Sequence, residues 1–231
     1  MLRAIIFDFN GVILNDEPLH FQSMRDTVAE IGIRISEEEY WGNYLPLDDN
    51  ACLEAICRNH STPFGDRERA MLLDLKSLNY RRLLEDKYPL FPGAADLIKA
   101  ASRSYPLALA SGARREEILS TLQATDLLQY FRVIAGAEDF TRGKPHPESY
   151  LFALARLNES RNGRLPKITP GECLVIEDSV GGVKGARAAG MACLAVAHTY
   201  ASDSLRAANH VVSSISDIKL EELERICREP S

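Results

Sequence analysis

The position of one apolar segment constrains the fold more than any other feature of this 231-residue sequence. Residues 3–9, RAIIFDF, form a continuous apolar run of strand length, and an Asn-Gly pair follows it. Such a run is typical of a strand that is buried on both faces of a parallel sheet. The next strand candidates come only after about residue 88, so the chain leaves the predicted sheet after one strand and returns much later.

The stretch between these two points has the pattern of helices. Segments such as PLHFQSMRDTVAEIG and DRERAMLLDLKSLNYRRLLED carry apolar residues at helical spacing. Pro18 suits the first turn of a helix, and Gly32 suits a helix end. No strand candidate interrupts this stretch, so the sequence predicts an all-helical insert at residues 16–87.

From residue 88 onward, strand and helix patterns alternate. The strand candidates are PLALAS, RVIAG, ECLVIED, ACLAVAH and HVVS, with helical segments between them. Alternation of this kind predicts βαβ units and a parallel sheet. We therefore predict an α/β fold with a doubly wound, mostly parallel, Rossmann-like sheet, formed by residues 1–15 and 88–231 and interrupted by the helical insert.

Composition excludes several classes of protein. A net charge of −6 disfavours nucleic-acid binding, which needs a basic face. The longest apolar stretches, such as MACLAVA, fall far short of the roughly 20 residues of a membrane span. The N-terminal apolar run reads as a buried strand rather than a signal peptide. Five cysteines without a C-x-x-C pair favour reduced thiols, so we expect a cytoplasmic protein. Separately, we expect a monomer or weak homodimer.

Polar residues follow the predicted strands at the points where these end. Asp8 follows the first strand, Ser111-Gly112 the second, and Glu177-Asp178 the strand CLVI, while Lys144 lies in GKPHPE after the third. In doubly wound sheets, ligands bind beyond the carboxyl ends of the strands. We therefore expect these side chains to form one site.

The residue types at these positions indicate phosphate chemistry. Three converging carboxylates would repel one another unless a cation joined them, and an oxygen-only ligand set favours Mg²⁺. A magnesium ion beside a lysine and exposed backbone N–H groups provides what a phosphate needs. An aspartate can also act as the nucleophile and form an aspartyl-phosphate, and Asp8 is the best placed to do so.

Four motifs carry a family resemblance. DFNGV, LASGA, GKPHPE and IEDSVGGVKGARAAGM resemble, in order and in spacing, the four motifs of the haloacid dehalogenase superfamily. The helical insert resembles that family's small helical cap, and the similarity covers essentially the whole chain. Within the superfamily, the sequence is most similar to the β-phosphoglucomutase-like and phosphoglycolate-phosphatase-like group.

The resemblance implies a role for each residue at the strand ends. Asp8 would be the nucleophile, and Lys144 would neutralise charge on the phosphate and on Asp8. Ser111, with Gly112 and the following amides, would hold the phosphoryl group. Magnesium would be bound by the Asp8 side chain, the Asn10 backbone carbonyl and Asp178, with Glu177 supporting directly or through water.

Position 10 departs from the family pattern. In the phosphotransferases of this family it is an aspartate that protonates the leaving group and then activates water, and an asparagine cannot transfer that proton. General acid–base catalysis contributes roughly 10²–10⁴-fold, so turnover would fall by that order. Two alternatives stay open. Asp16, Glu17 or His20 could supply the proton, or Asn10 could be an introduced substitution.

The helical insert carries two further candidates by resemblance. His20 and Lys76 fall where the mutase-like group has cap residues near the active site. The alternatives are a non-catalytic role for His20 and a solvated helix face for Lys76. In the loop at 44–49, Pro46 and Asp49 replace the Gly and Arg that would grip a second phosphate. An acidic residue would repel that phosphate, so we expect a substrate with one phosphate and a polar or cationic remainder.

Together these features predict a Mg²⁺-dependent phosphomonoester hydrolase that acts on a small phosphorylated metabolite and is slowed by Asn10. The alternatives are a sugar phosphomutase of the β-phosphoglucomutase type and a catalytically weak phosphoester-binding protein. Metal-free dehalogenation fits poorly with Glu177-Asp178. Phosphonate cleavage would use a cap lysine in a desolvated setting, and no such setting is evident for Lys76.

Overall fold

The computed structural model describes residues 1–45, 47–85, 88–161 and 166–228. The chain forms two compact units. Met1–Asn15 with Pro89–Ser231 make up one, here the core unit, and Asp16–Tyr88 make up the other, here the helical unit.

The core unit is built on a six-stranded sheet. Its strands pair in the order β3-β2-β1-β4-β5-β6, and each pair is parallel. They are β1 (Ala4–Phe7), β2 (Leu107–Ala110), β3 (Phe131–Ala135), β4 (Cys173–Glu177), β5 (Ala192–Val196) and β6 (His210–Val212). This topology confirms the predicted α/β fold with a doubly wound, Rossmann-like sheet.

Helices cover this sheet because its central strands are apolar except for Glu177 at the end of β4. All four residues of β1 have no exposed surface, which requires cover on both faces. A cluster of buried residues joins Ile6 and Val175 to Tyr150 and Val183 of the adjacent helices. The helices of the core unit are α5 (Ala94–Ser102), α6 (Arg115–Ala124), α7 (Glu148–Ser160), α8 (Val180–Ala188) and α9 (Leu220–Arg228).

The register between the two central strands places the candidate site. Phe7 of β1 pairs with Ile176 of β4, and the Asp8 backbone N–H donates to the Ile176 carbonyl oxygen over 2.9 Å. Asp8 therefore leaves its strand beside Glu177, the last residue of β4. Since the strands are parallel, their carboxyl ends meet at this edge.

The helical unit has its own core. Its helices are α1 (Glu17–Ala29), α2 (Glu37–Asn43), α3 (Asp49–Asn59) and α4 (Asp66–Glu85). Their apolar faces pack together through residues such as Met24, Leu53, Ile56 and Leu72. Ser36 and Asp48 cap α2 and α3 by accepting backbone N–H bonds of 3.1 and 2.8 Å. The loop residue Pro46 lies outside the described residues.

Two further features concern the state of the cysteine thiols and the length and apolar character of the helices. Cys52, Cys57, Cys173 and Cys193 are buried, Cys227 is half-buried, and each is a free thiol. Among the described residues, no helix combines the length and the apolar character that crossing a membrane requires.

Candidate active site

Asp8 is a buried carboxylate held beside a lysine. Its side chain lies just beyond β1, and the residue is 6% exposed. Lys144 Nζ lies 2.6 Å from Asp8 Oδ1 and also contacts Glu177 Oε1. The ammonium thus joins the end of β1 to the end of β4.

Glu177 is saturated with hydrogen bonds. It has no exposed surface, and Oε1 accepts a bond of 2.8 Å from the Tyr150 hydroxyl besides the contact with Lys144. Oε2 accepts bonds from the backbone N–H groups of Asp178 and Ser179, at 2.9 and 2.8 Å, and from the Ser179 hydroxyl. With both oxygens occupied, Glu177 suits a supporting role better than that of an open metal ligand.

Asp178 approaches the loop that follows β1. Its Oδ2 accepts a hydrogen bond from the Thr199 hydroxyl. Gly11 has a φ of +75°, and a Cβ at this position would overlap the Asp178 carboxylate. Glycine is therefore required at position 11 for conformation and for space.

The three carboxylates carry more negative charge than Lys144 compensates. Asp8, Glu177 and Asp178 are buried, and each offers an oxygen within 4.8 Å of the others. Burial, which Lys144 opposes and the charge of Glu177 reinforces, raises the pKa of Asp8 to about 7. Burial, with the charges of Glu177 and Asp8, also raises the pKa of Asp178. A site in which deprotonation is this unfavourable fits a divalent cation, which would stabilise the ionised carboxylates.

Glu177 and Lys144 respond differently to the same surroundings. Burial alone would raise the pKa of Glu177 and lower that of Lys144. The attraction of Lys144 outweighs burial at Glu177, so the pKa of Glu177 is lowered. The charges of Asp8 and Glu177 outweigh burial at Lys144, so the pKa of Lys144 is raised. This ion pair therefore stays charged.

Asn10 and Ser111 are neighbours at the ends of β1 and β2. The Ser111 hydroxyl lies 3.5 Å from Asn10 Oδ1, at the limit of a hydrogen bond, and accepts a bond of 3.1 Å from the Ala113 backbone N–H. Ser111 is buried, whereas Gly112 is exposed and a Cβ there would meet no atom within 4 Å.

His20 and Lys76 belong to a polar cluster inside the helical unit. Lys76 is only 2% exposed, and its Nζ donates to His20 Nδ1 at 2.6 Å and contacts the Asp49 carboxylate at 2.7 and 2.8 Å. His20 Nε2 lies 3.2 Å from Asp16 Oδ2, which also accepts a bond of 2.7 Å from the Tyr80 hydroxyl. The solvated helix face considered for Lys76 is therefore wrong.

The geometry of this cluster corrects two expectations that came from the sequence. The expectation that Lys76 lacks a desolvated setting is wrong, because His20, Asp49 and the helices enclose it. Asp49 is also not an isolated negative charge, since Lys76 pairs with both of its oxygens. Its repulsion of a second phosphate is therefore weaker than an unpaired aspartate would produce.

Three residues at the core site escaped the sequence reasoning. Tyr150 lies on α7 and reaches Glu177, while His198 and Thr199 follow β5 and reach Gly11 and Asp178. The strand-end rule, applied to ACLAVAH and the next residue, would have found the last two. Nothing in the sequence around Tyr150 signals its contact.

A parallel sheet that gathers buried carboxylates and a lysine beyond its strand ends is the architecture of an α/β enzyme. The family model of haloacid dehalogenase-like hydrolases matches residues 2–190. The chain belongs to this family, and it is a hydrolase.

Individual relatives support the same conclusion. The phosphorylated carbohydrates phosphatase of Thermotoga maritima is 29% identical over 198 residues, 82% of each chain. The β-phosphoglucomutase of Bacillus subtilis is 26% identical over 95% of this chain and 93% of its own. The crystal structure of a haloacid dehalogenase-like protein from Agrobacterium tumefaciens covers 99% of this chain and 100% of its own, with 28% identity and a TM-score of 0.79. Such relatives and the buried acidic cluster fit a phosphoester hydrolase.

Proposed function

We propose that this protein is a Mg²⁺-dependent phosphomonoesterase of small phosphorylated metabolites, with Asp8 as nucleophile. The observation that carries the proposal is the buried cluster of Asp8, Glu177 and Asp178 with Lys144 against it. Few other reactions use a carboxylate nucleophile, a paired lysine and a cation-demanding acidic cluster in one site.

In the proposed reaction, an Asp8 oxygen attacks the phosphorus atom of the ester. The Asp8 O–P bond forms as the bond from phosphorus to the leaving oxygen breaks, and the leaving oxygen takes up a proton from solvent water. A water oxygen then attacks the phosphorus of the aspartyl-phosphate. The Asp8 O–P bond breaks, the proton of the attacking water passes to the solvent, and inorganic phosphate leaves as Asp8 is restored. Lys144 favours the ionised form of Asp8 and offsets charge on the phosphoryl oxygens, while Ser111 and the Gly112 amide hold that group.

The residues present fit magnesium. Asp8 and Asp178 would bind the ion with their side chains and Asn10 with its backbone carbonyl, while Glu177 would support them through its hydrogen bonds. The ion would supply charge neutralisation at the phosphoryl oxygens. The raised pKa values of Asp8 and Asp178 support this assignment, because both carboxylates lack sufficient positive charge nearby.

We expect slow turnover because position 10 is an asparagine. Its amide can accept and donate hydrogen bonds, but it cannot give a proton to the leaving oxygen or take one from water. Turnover is then expected to be roughly 10²–10⁴-fold below that of the aspartate form. Binding is retained, since the amide adds no further negative charge to a site with three carboxylates.

The helical unit is proposed to act as a cap that selects the substrate, with His20 and Lys76 as binding residues. Support comes from their cluster, in which a buried ammonium and an imidazole are held by aspartates. The T. maritima relative is named for phosphorylated carbohydrates, so sugar and sugar-alcohol phosphates are the first substrates to test.

The test measures phosphate release from a panel of sugar, sugar-alcohol and other small phosphomonoesters. It compares the unaltered protein, Asn10→Asp and Asp8→Asn, each with magnesium and with a chelator. We expect the fastest metal-dependent release from Asn10→Asp, slower release from the unaltered protein and none from Asp8→Asn.

Other outcomes point to the alternatives. Equal rates for the unaltered protein and Asn10→Asp would show that another residue supplies the proton. Interconversion of hexose 1- and 6-phosphates, followed by NMR, would favour the phosphomutase. Tight binding of phosphoesters without release by either form would favour the binding protein.

A further inference from the structure

We infer that His198 and Thr199, which follow β5, are positioning residues for the metal and nucleophile site. Thr199 orients Asp178, and His198 fixes the loop that carries Asn10 and Gly11. The inference rests on the proposed function and adds a segment outside the four motifs to the catalytic apparatus.

Thr199 determines which oxygen of Asp178 is available. Its hydroxyl donates to Asp178 Oδ2. Within the described residues, this bond to Oδ2 is the hydrogen bond that the carboxylate accepts, so Oδ1 is the oxygen more readily available to a cation. Such a bond restricts the rotation of the carboxylate and sets the direction in which its other oxygen points.

His198 holds the loop that lies against the Asp178 carboxylate. Its Nε2 lies 3.4 Å from the backbone N–H of Ile215, which can only donate, so Nε2 is the acceptor. The neutral imidazole then carries its proton on Nδ1, which donates to the Gly11 carbonyl oxygen at 2.9 Å. Stacking of the ring on Phe91, with centroids 3.8 Å apart, fixes its orientation.

The contact of His198 with Gly11 and the contact of Thr199 with Asp178 act on neighbouring groups. Gly11 lies directly against the Asp178 carboxylate, so a shift of this glycine or a rotation of this carboxylate disturbs the other. The carbonyl of Asn10, a proposed ligand, precedes Gly11 in the chain. Two consecutive residues after β5 therefore hold the side-chain ligand and the backbone ligand in mutual register.

The Thr199 contact is tested with metal binding, using Mn²⁺ as a spectroscopic substitute for Mg²⁺. Electron paramagnetic resonance titration gives the Mn²⁺ dissociation constant of the unaltered protein, of Thr199→Ser, which keeps the hydroxyl, and of Thr199→Val, which keeps the shape. We expect ~10–100-fold weaker binding for the valine variant and near-normal binding for the serine variant. Thr199→Ala serves if the valine variant does not fold.

The His198 contact is tested with two amides that divide its hydrogen bonds. His198→Asn places an amide nitrogen where Nδ1 lies and can still donate to Gly11, whereas His198→Gln reaches the region of Nε2 and can still accept from Ile215. In the Asn10→Asp background, we expect His198→Asn to keep the kcat and Mn²⁺ affinity of its parent, and His198→Gln to lose both with little change in KM. A purely structural role at Ile215 would give the reverse order.

The outcomes separate this inference from the proposed function. Metal binding by the unaltered protein with equal affinity in Thr199→Val and His198→Gln would overturn the inference and leave the phosphatase intact. Absence of Mn²⁺ binding by the unaltered protein would overturn the proposed metal site and this inference with it.

Discussion

The ammonium of Lys144 lies 2.6 Å from Asp8 Oδ1 and also contacts Glu177 Oε1, so one cation joins two of the three clustered carboxylates. The lysine therefore opposes the rise that burial causes in the pKa of Asp8. Removal of the lysine leaves two buried acids without compensation, which costs far more than loss of a surface ion pair.

Lys144→Met is therefore expected to abolish phosphate release and to lower the free energy of unfolding by on the order of 3 kcal/mol at neutral pH. Because Lys144 lowers the pKa of Glu177 against the effect of burial, the stability from this pair is present above the ordinary pKa of Glu177 and is lost in acid. Urea unfolding at neutral and acid pH measures both effects. Lys184→Met, an exposed lysine of α8, is the control, and equal unfolding curves for the two variants would contradict the prediction.

Asn10→Asp is expected to raise kcat by roughly 10²–10⁴-fold, because the new carboxyl group can exchange the proton that the amide cannot. KM is expected to stay nearly the same or to rise, since a fourth carboxylate adds negative charge that repels the phosphate. Steady-state kinetics on the best substrate of the panel measure both parameters. Asn15→Asp, an asparagine further along the same loop, controls for added charge.

The sheet and the strand-end residues were predictable because their signals are local. The run RAIIFDF, followed by Asn-Gly, is typical of a central strand, and parallel pairing then brings Asp8 and Glu177 to one edge. The burial of Lys76 was not predictable, because it depends on Asp49 and His20 from other helices, which supply the partners that a buried ammonium needs. The sequence pattern around a lysine in a helix is the same whether its side chain is buried or exposed to solvent.

The segment after β5 escaped prediction for a different reason. The other strand ends are followed by a carboxylate, a lysine or a serine, whereas ACLAVAH ends in His198. The contacts of His198 and Thr199 with Gly11 and Asp178 join distant parts of the sequence, so only the assembled sheet reveals them.

Gly11→Ala is expected to destroy metal binding, because the added methyl group would overlap the Asp178 carboxylate and because φ is +75°. Gly190→Ala is a matched control, since Gly190 has the same φ of +75° but its nearest contact would be Pro170 Cβ at 3.6 Å. Both variants carry the backbone strain of about 1–2 kcal/mol, but only the first should lose Mn²⁺ affinity. Equal Mn²⁺ affinities would show that the Asp178 carboxylate can move aside.

His198 is expected to make the stability of the protein sensitive to mild acid. Burial lowers its pKa below the ordinary value of 6.5, although the Gly11 carbonyl and the charge of Asp217 oppose the shift. The unfolded chain therefore takes up this proton at a higher pH than the folded one. The free energy of unfolding consequently falls as the pH drops below about 6.5.

Thermal unfolding in metal-free buffer, at several values between about pH 7 and about pH 5, measures this dependence. The difference between the unaltered protein and His198→Asn isolates the contribution of this group, because the remaining acidic groups titrate in both. We expect the unaltered protein to lose stability more steeply over this range, since protonation of Nε2 would turn it from an acceptor into a second donor facing the Ile215 N–H. Parallel curves would mean that His198 titrates alike in the folded and unfolded states, and that its neutral tautomer does not hold the Gly11 loop.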